Sequence, residues 1–172
     1  IDRLDTFRAL VEEFEMEPGT PIPGRLAAGL RQLGFDAVFD TSFGADLTIV
    51  EESREIVERL YEDHNLPLLT SCCPGWINFL EFQFPNLRGM ASSCKSPQQM
   101  VGTMAKTYYA EAIGRRPQDI VVVAVMPCLA KKYEAARPEY AGSRGPDVDY
   151  VITTRELSKM LKEAGVDLRD LE

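Results

Sequence analysis

Residues 120–125 read Ile-Val-Val-Val-Ala-Val, an unbroken apolar run with no polar position to turn toward water. A strand that is apolar on both faces must be covered on both, which places it at the centre of a parallel sheet between layers of helix. The rest of the chain supplies such layers. Arg3 to Glu15 carries Leu4, Phe7, Leu10, Val11 and Phe14 at helical spacing, and the stretch holding Pro18, Gly19, Pro21, Pro23 and Gly24 ends that helix. Leu26, Leu30 and Leu33 mark a second helix, ended by Gly34, that feeds a short buried strand at Asp36 to Phe39. A long helix is expected from about Asp46 to His64, its apolar stripe formed by Leu47, Val50, Val57, Leu60 and Tyr61. A strand at Leu66 to Leu69, helices at Gly75 to Phe84 and Ser96 to Ala112, and a strand at Val148 to Ile152 follow. Thr153 and Glu156 then open a last helix as a capping box. Strands alternating with helices predict an α/β fold with a largely parallel sheet flanked by helices.

The 172 residues are 45% apolar and 27% charged, which suits one globular domain and excludes disordered or collagen-like chains. A net charge of -8 has the wrong sign for neutralising nucleic-acid phosphates or an anionic membrane surface. The longest apolar runs fall well short of the roughly 20 residues that cross a bilayer, so no membrane insertion is expected. The opening Ile1-Asp2-Arg3 lacks both an initiator Met and the pattern of a secretory signal, and reads as a cut end.

Four cysteines, Cys72, Cys73, Cys94 and Cys128, carry most of the functional information. Cys72 and Cys73 are adjacent, poor geometry for pairing with each other, and no spacing suggests a disulfide framework. They read as reduced thiols, which favours the cytoplasm or an anaerobic setting. With no Cys-x-x-Cys and one histidine, His64, a self-contained zinc site has little support. Scattered thiols are most often core residues. Ligands of parallel sheets, however, sit beyond the carboxyl ends of strands. Cys72 and Cys73 follow the expected strand at Leu66 to Leu69, and Cys128 follows the run at 120–125. Cys73 precedes Pro74 and so takes an N-cap position, where helix N–H groups and the dipole favour a thiolate; the plain alternative is a small hydrophobe at a turn. Met126-Pro127-Cys128 repeats the arrangement, with Lys131 three residues on. A thiolate beside an ammonium suits a metal carrying an anionic ligand, against the plain reading of Lys131 and Lys132 as solvated charges.

The segments TSCCPGW and MPCLAKKYEA closely resemble the first two signature motifs of the iron-only (FeFe) hydrogenases, in their catalytic H-cluster domain. SSCKSPQQM, FDTSFGADLTIVEE and DYVITTREL resemble the same family, so the likeness covers nearly the whole chain. It implies one lobe of the two-lobed hydrogenase large-subunit fold and an oxidoreductase that interconverts H2 with protons and electrons. The implied cofactor is the H-cluster, a 4Fe-4S cubane joined to a two-iron subcluster bearing CO, cyanide and azadithiolate. By resemblance Cys73 and Cys128 are metal ligands of the cubane. Cys72 resembles the thiol that exchanges protons with the azadithiolate amine. Lys131 resembles the lysine that binds a subcluster cyanide, Ser96 and Gln98 match polar residues near its diatomic ligands, and Met126 packs against it.

The resemblance also implies a proton path from Cys72 through Glu52, Ser92, Glu55 and Arg59 toward solvent. Glu52, Glu55 and Arg59 do share one helix face. Periodicity alone makes that face the solvated one, opposite the apolar stripe, with a Glu55–Arg59 ion pair. Ser96 reads independently as an N-cap, with Pro97 at the first helical position and Gln99 closing a capping box. Cys94 is assigned to packing, Trp76 to the core and His64 to a helix end.

The family's third motif, which supplies the other two cluster cysteines, is missing after Cys128. So are the accessory domains that carry further 4Fe-4S and 2Fe-2S clusters. Residues 1–172 therefore read as a partial H-cluster domain whose partners are H2, protons, the remainder of the hydrogenase chain, and ferredoxin or an NAD(P)-linked electron-transfer subunit. Two thiolates leave half of a cubane's corners without protein ligands, so the isolated chain is expected to be inactive. The alternative is a Narf-like iron-sulfur assembly protein, which shares the cluster cysteines but delivers or binds clusters.

Overall fold

The computed structural model describes residues 4–142 and 145–172. Arg3, the expected start of the first helix, lies outside them. The order is α1 (Leu4–Glu13), α2 (Pro23–Gln32), α3 (Thr41–Glu62), α4 (Pro74–Gln83), α5 (Pro97–Met104), α6 (Ala110–Ala112), β1 (Val123–Met126), α7 (Ala130–Ala135), β2 (Ala141–Gly142), β3 (Gly145–Pro146), β4 (Tyr150–Thr153) and α8 (Thr154–Glu163). A π-helical stretch, Ala105–Tyr109, joins α5 to α6 in one rod.

β1 and β4 pair in parallel, Val123 opposite Tyr150 and Met126 opposite Thr153, while β2 and β3 form a small antiparallel pair. The apolar run does become a strand, shifted toward Met126, because Pro117–Asp119 make a 3-10 turn that ends at Ile120. The two faces of β1 serve two cores. Val125 joins Leu10 of α1 and the adjacent Phe14, Leu26 and Leu30 of α2, and Leu157 and Leu161 of α8. Ala124 and Met126 point the other way and pack with Val148. Thr153 caps α8 as expected: Glu156 N–H donates to its Oγ1 at 3.2 Å, and Thr153 N–H donates to Glu156 Oε2 at 2.6 Å.

Two expected strands are not strands. Residues 36–39 take no strand conformation, and Leu66 to Leu69 contributes one parallel bridge, Leu69 to Ala91. The bridge rests on Leu69 N–H to Met90 O (2.8 Å) and Ser92 N–H to Leu69 O (2.7 Å). Four apolar residues satisfy a strand pattern, but a ladder needs a neighbour of equal length, and residues 85–90 form a 3-10 turn instead.

The larger correction concerns α3. Its expected apolar stripe is the exposed side: Val50 is 62% exposed, Leu60 60% and Tyr61 88%. The face carrying Thr41, Gly44, Thr48 and Arg59 is buried instead. This face packs on α5, and small residues permit the approach. A Cβ on Gly44 would stand 2.3 Å from Pro97 O, closer than real atoms come. Thr48 Oγ1 bonds Gly44 O (2.9 Å) and Lys95 O (3.3 Å), so its burial leaves no unsatisfied hydroxyl. A polar face is buried cheaply when each polar atom finds a partner, and an apolarity count does not register those partners.

The other side of α5 is tied to the segment that leads into β4. Lys106, 3% exposed, donates to Pro146 O (2.6 Å) and Asp149 Oδ1 (2.8 Å), and Lys95 pairs with Asp147 and Thr103. Gly102 sits where a Cβ would meet Asp147 O at 2.5 Å. The rod is thus held between α3 and the sheet, with its N-terminal end beside both cysteine loops.

Candidate functional site

Cys73 is the N-cap of α4: its Sγ accepts from Trp76 N–H at 3.5 Å and Pro74 opens the helix. Cys128 lies between the end of β1 and α7. Cys72, Cys73 and Cys128 are free and exposed, whereas Cys94 is free and half-buried. The two loops meet through Lys131, whose Nζ donates to Cys72 O at 2.7 Å.

The same ammonium donates to both oxygens of Glu134, at 3.0 and 3.1 Å. Glu134 Oε2 also accepts from Ser96 Oγ at 2.8 Å and Gln98 Nε2 at 3.2 Å. This carboxylate is 2% exposed and gathers three residues selected from the sequence for one purpose. Burying an ion costs several kcal/mol, and charge-assisted hydrogen bonds of about 1.5–3 kcal/mol each offset that only when several converge. Here they do. Sequence reading missed Glu134, although its spacing three residues after Lys131 on a helix was a usable signal.

Ser96 is the N-cap of α5, accepting from Gln99 N–H at 3.4 Å. The expected capping box stays half made, because both side-chain amide atoms of Gln99 are buried without a partner among the described residues. Gln98 Oε1 is likewise buried and unpartnered. Gln98 and Met126 both line a cavity of about 670 Å3 between residues 34–39, the α5 rod and β1. Met126 itself is 3% exposed.

Ser92, Glu55 and Arg59, expected to be neighbours, are joined by hydrogen bonds. Ser92 Oγ donates to Glu55 Oε2 at 2.7 Å, Ser93 N–H donates to both Glu55 oxygens at 3.1 Å, and Arg59 Nη2 donates to Oε1 at 2.6 Å. Burial pushes the Glu55 carboxyl up, but these donors outweigh it and hold the group below the usual carboxylate range. Glu52, one turn earlier, has a buried Oε1 with no hydrogen-bond partner. No hydrogen bond among the described residues joins it to Cys72 or Ser92.

Arg59 is not at the solvent end. It is 7% exposed, and its guanidinium donates to the carbonyls of Asn65 (3.0 Å), Met90 (3.0 Å) and Ala91 (2.7 Å). Cys94 is more than packing, since its Sγ lies 3.6 Å from Glu55 Oε2 and burial, with the nearby carboxylate, pushes its thiol up. Trp76 is half-buried rather than a core anchor, with its indole N–H on Thr70 O at 3.1 Å. His64 remains at the end of α3, exposed beside Glu62 at 3.2 Å.

Cysteines that are free and exposed on adjacent loops are the donor chemistry that iron-sulfur clusters take. Among the described residues no three His, Cys, Asp or Glu side chains gather as a metal site by themselves. Nor is any described helix long and apolar enough to cross a membrane.

Residues 5–172 match the family model described as iron only hydrogenase large subunit, C-terminal domain. The chain is 56% identical over 169 residues to the NADP-reducing hydrogenase subunit HndD of Solidesulfovibrio fructosivorans, covering 95% of this chain and 29% of that one. It is 37% identical over 171 residues to the cytosolic iron-sulfur assembly component 3 of Mus musculus, covering 95% of this chain and 36% of that one. The solved FeFe-hydrogenase HydA1 of Chlamydomonas reinhardtii superposes with a TM-score of 0.90 at 46% identity, covering 97% of this chain and 42% of that one. The chain thus spans less than half the length of each of these relatives.

Proposed function

The chain belongs to the family of the iron-only hydrogenase large subunit, C-terminal domain, and on that premise we propose that it is a lobe of a hydrogenase that grips one side of the H-cluster. When bound, that cofactor supplies the iron chemistry that interconverts H2 with protons and electrons. Cys73 and Cys128 would hold the cubane as thiolates, with the remaining protein ligands coming from polypeptide outside this sequence. Lys131, Ser96 and Gln98 would hold the anionic and diatomic ligands of the two-iron subcluster, and Met126 would pack beside it.

Cys72 would carry the proton at the site. From there the reading follows Glu52, Ser92 and Glu55. The hydrogen bonds around Glu55 support the outer part, and Arg59 serves there as a buried anchor that orients the Glu55 carboxylate. Glu134 orients Lys131. Electrons would leave toward ferredoxin or an NAD(P)-linked subunit, and this reading takes the cytoplasm as the compartment, where thiols stay reduced.

The observation that carries this reading is the Lys131 ammonium bound at once to the Cys72 carbonyl and to the carboxylate shared with Ser96 and Gln98. An assembly module of the Narf type is the second reading, motivated by the 37% identity to an assembly component. The higher identity to a hydrogenase subunit, and Cys72, Glu52, Ser92 and Lys131 together, favour the enzyme. Iron and sulfide determination with an H2-evolution assay, on the native polypeptide purified without oxygen, tests it. Cluster with H2 evolution supports the enzyme, cluster without it supports the assembly module, and a metal-free protein contradicts both.

A further inference from the structure

Two helices present the cysteine pair. Cys73 caps α4 and Cys128 lies two residues before α7, and the two helices pack against each other. At the cysteine end they are tied by Lys131 Nζ on Cys72 O. A second tie closes the far end. Arg137, just past α7, donates through Nη1 and Nη2 to the two carboxylate oxygens of Glu81, near the end of α4, at 3.1 and 2.5 Å.

Paired N–H donors on a carboxylate fix angle as well as distance, which a single lysine contact does not. The fork is itself held, by Glu139 on its Nε and by the Tyr133 ring 5.9 Å from its carbon centre. With side chains 16% and 24% exposed, the pair is shielded from much of the screening that weakens surface ion pairs. Glu81 is eight residues along α4 from Cys73, about 12 Å at 1.5 Å per residue. Helices tied at one end can pivot about the tie, and a pivot displaces the thiol each carries. A second tie about a helix length away removes that freedom, and a functional site needs its donors held to about 0.5 Å.

We propose that Glu81 and Arg137 are a positioning pair that sets the separation of the Cys73 and Cys128 thiolates from the far ends of α4 and α7, and so the fit of an iron-sulfur cubane. The inference rests on the hydrogenase-lobe reading above. Neither side chain touches a group assigned to the cluster; both act through the helices.

The test uses the native polypeptide, reconstituted anaerobically with iron and sulfide, against Glu81→Gln and Arg137→Lys. Glu156→Ala, which breaks the Lys132 pair and half of the α8 capping box, is the control for lost stability alone. Cubane retention against an iron chelator and the cubane's paramagnetic resonance spectrum are read, with the unfolding midpoint of the cluster-free chain alongside. Glu81→Gln and Arg137→Lys, by loosening the helices that carry the two thiols, should lose retention by about tenfold and alter the spectrum. The control should lower the midpoint and leave both untouched. Unchanged retention and spectrum in both variants would overturn the pair's positioning role. A parent polypeptide that takes up no cubane would instead bring down the hydrogenase reading, and this inference with it.

Discussion

Lys131 Nζ donates a 2.7 Å hydrogen bond to the carbonyl of Cys72, joining two loops that lie 59 residues apart. It sets one loop against the other, and because the same ammonium is held by Glu134, the contact is anchored in a side chain 3% exposed.

Glu134→Ala should therefore be among the most damaging changes near the site. It strips a half-buried lysine, a buried serine hydroxyl and an amide of their shared acceptor, at about 3 kcal/mol or more. Glu134→Gln, which keeps the shape and loses the charge, should cost less. Chemical denaturation of the cluster-free chain measures both, and equal, small effects would remove Glu134 from this role.

The α3 inversion makes a paired prediction. Arg59→Ala takes the guanidinium donor from the carbonyls of Asn65 and Ala91, removes one of the donors to Met90 O and to the Glu55 carboxylate, and should destabilise by about 3 kcal/mol. Tyr61→Ala and Val50→Ser, on the exposed side, should stay within about 0.5 kcal/mol. Unfolding midpoints that rank the other way would return the apolar stripe to the interior.

Acid should act partly through Glu55. Its folded-state pKa lies below the unfolded value, so its contribution is present above the unfolded carboxylate range near 4.5 and is lost as pH falls through the depressed folded value. Glu55→Gln should be less stable at neutral pH and show a shallower fall below pH of about 4.5. Denaturation profiles that stay parallel down to low pH would contradict this.

Thiol chemistry should separate the cysteines. Cys72, Cys73 and Cys128 are exposed, while burial and the neighbouring Glu55 raise the Cys94 thiol. In the cluster-free chain three alkylations should be fast and one slow. Loading with iron and sulfide should then protect Cys73 and Cys128 and leave Cys72 reactive. Mass mapping of the labelled peptides reads this directly, and protection of Cys72 in place of Cys73 would reverse their assigned roles.

Much of this architecture was legible in the order of residues. The run at 120–125 led to the parallel strand, Pro74 and Pro97 to the helix starts capped by Cys73 and Ser96, and Thr153 with Glu156 to a full capping box. The failures share one cause. Which face of α3 is buried depends on where Gly44 and Thr48 meet α5 and on which carbonyls surround Arg59, and those partners lie 30 or more residues away in part. Leu66 to Leu69 had the pattern of a strand but no neighbour long enough to form a ladder. Gln99 had the spacing of a capping box, yet its amide is buried where it cannot reach back. Glu134 was hidden because its value comes from Ser96 and Gln98, more than 30 positions earlier.

The central claim is that these cysteine loops serve hydrogen chemistry and not cluster storage. The direct measurement is H2 evolution from a reduced viologen by the native polypeptide, purified anaerobically with its iron and sulfide content determined in parallel. Evolution of H2 that disappears in the Cys72→Ala variant, with cluster content unchanged, is the predicted result. A fully loaded cluster that evolves no H2 in the parent polypeptide would contradict the account.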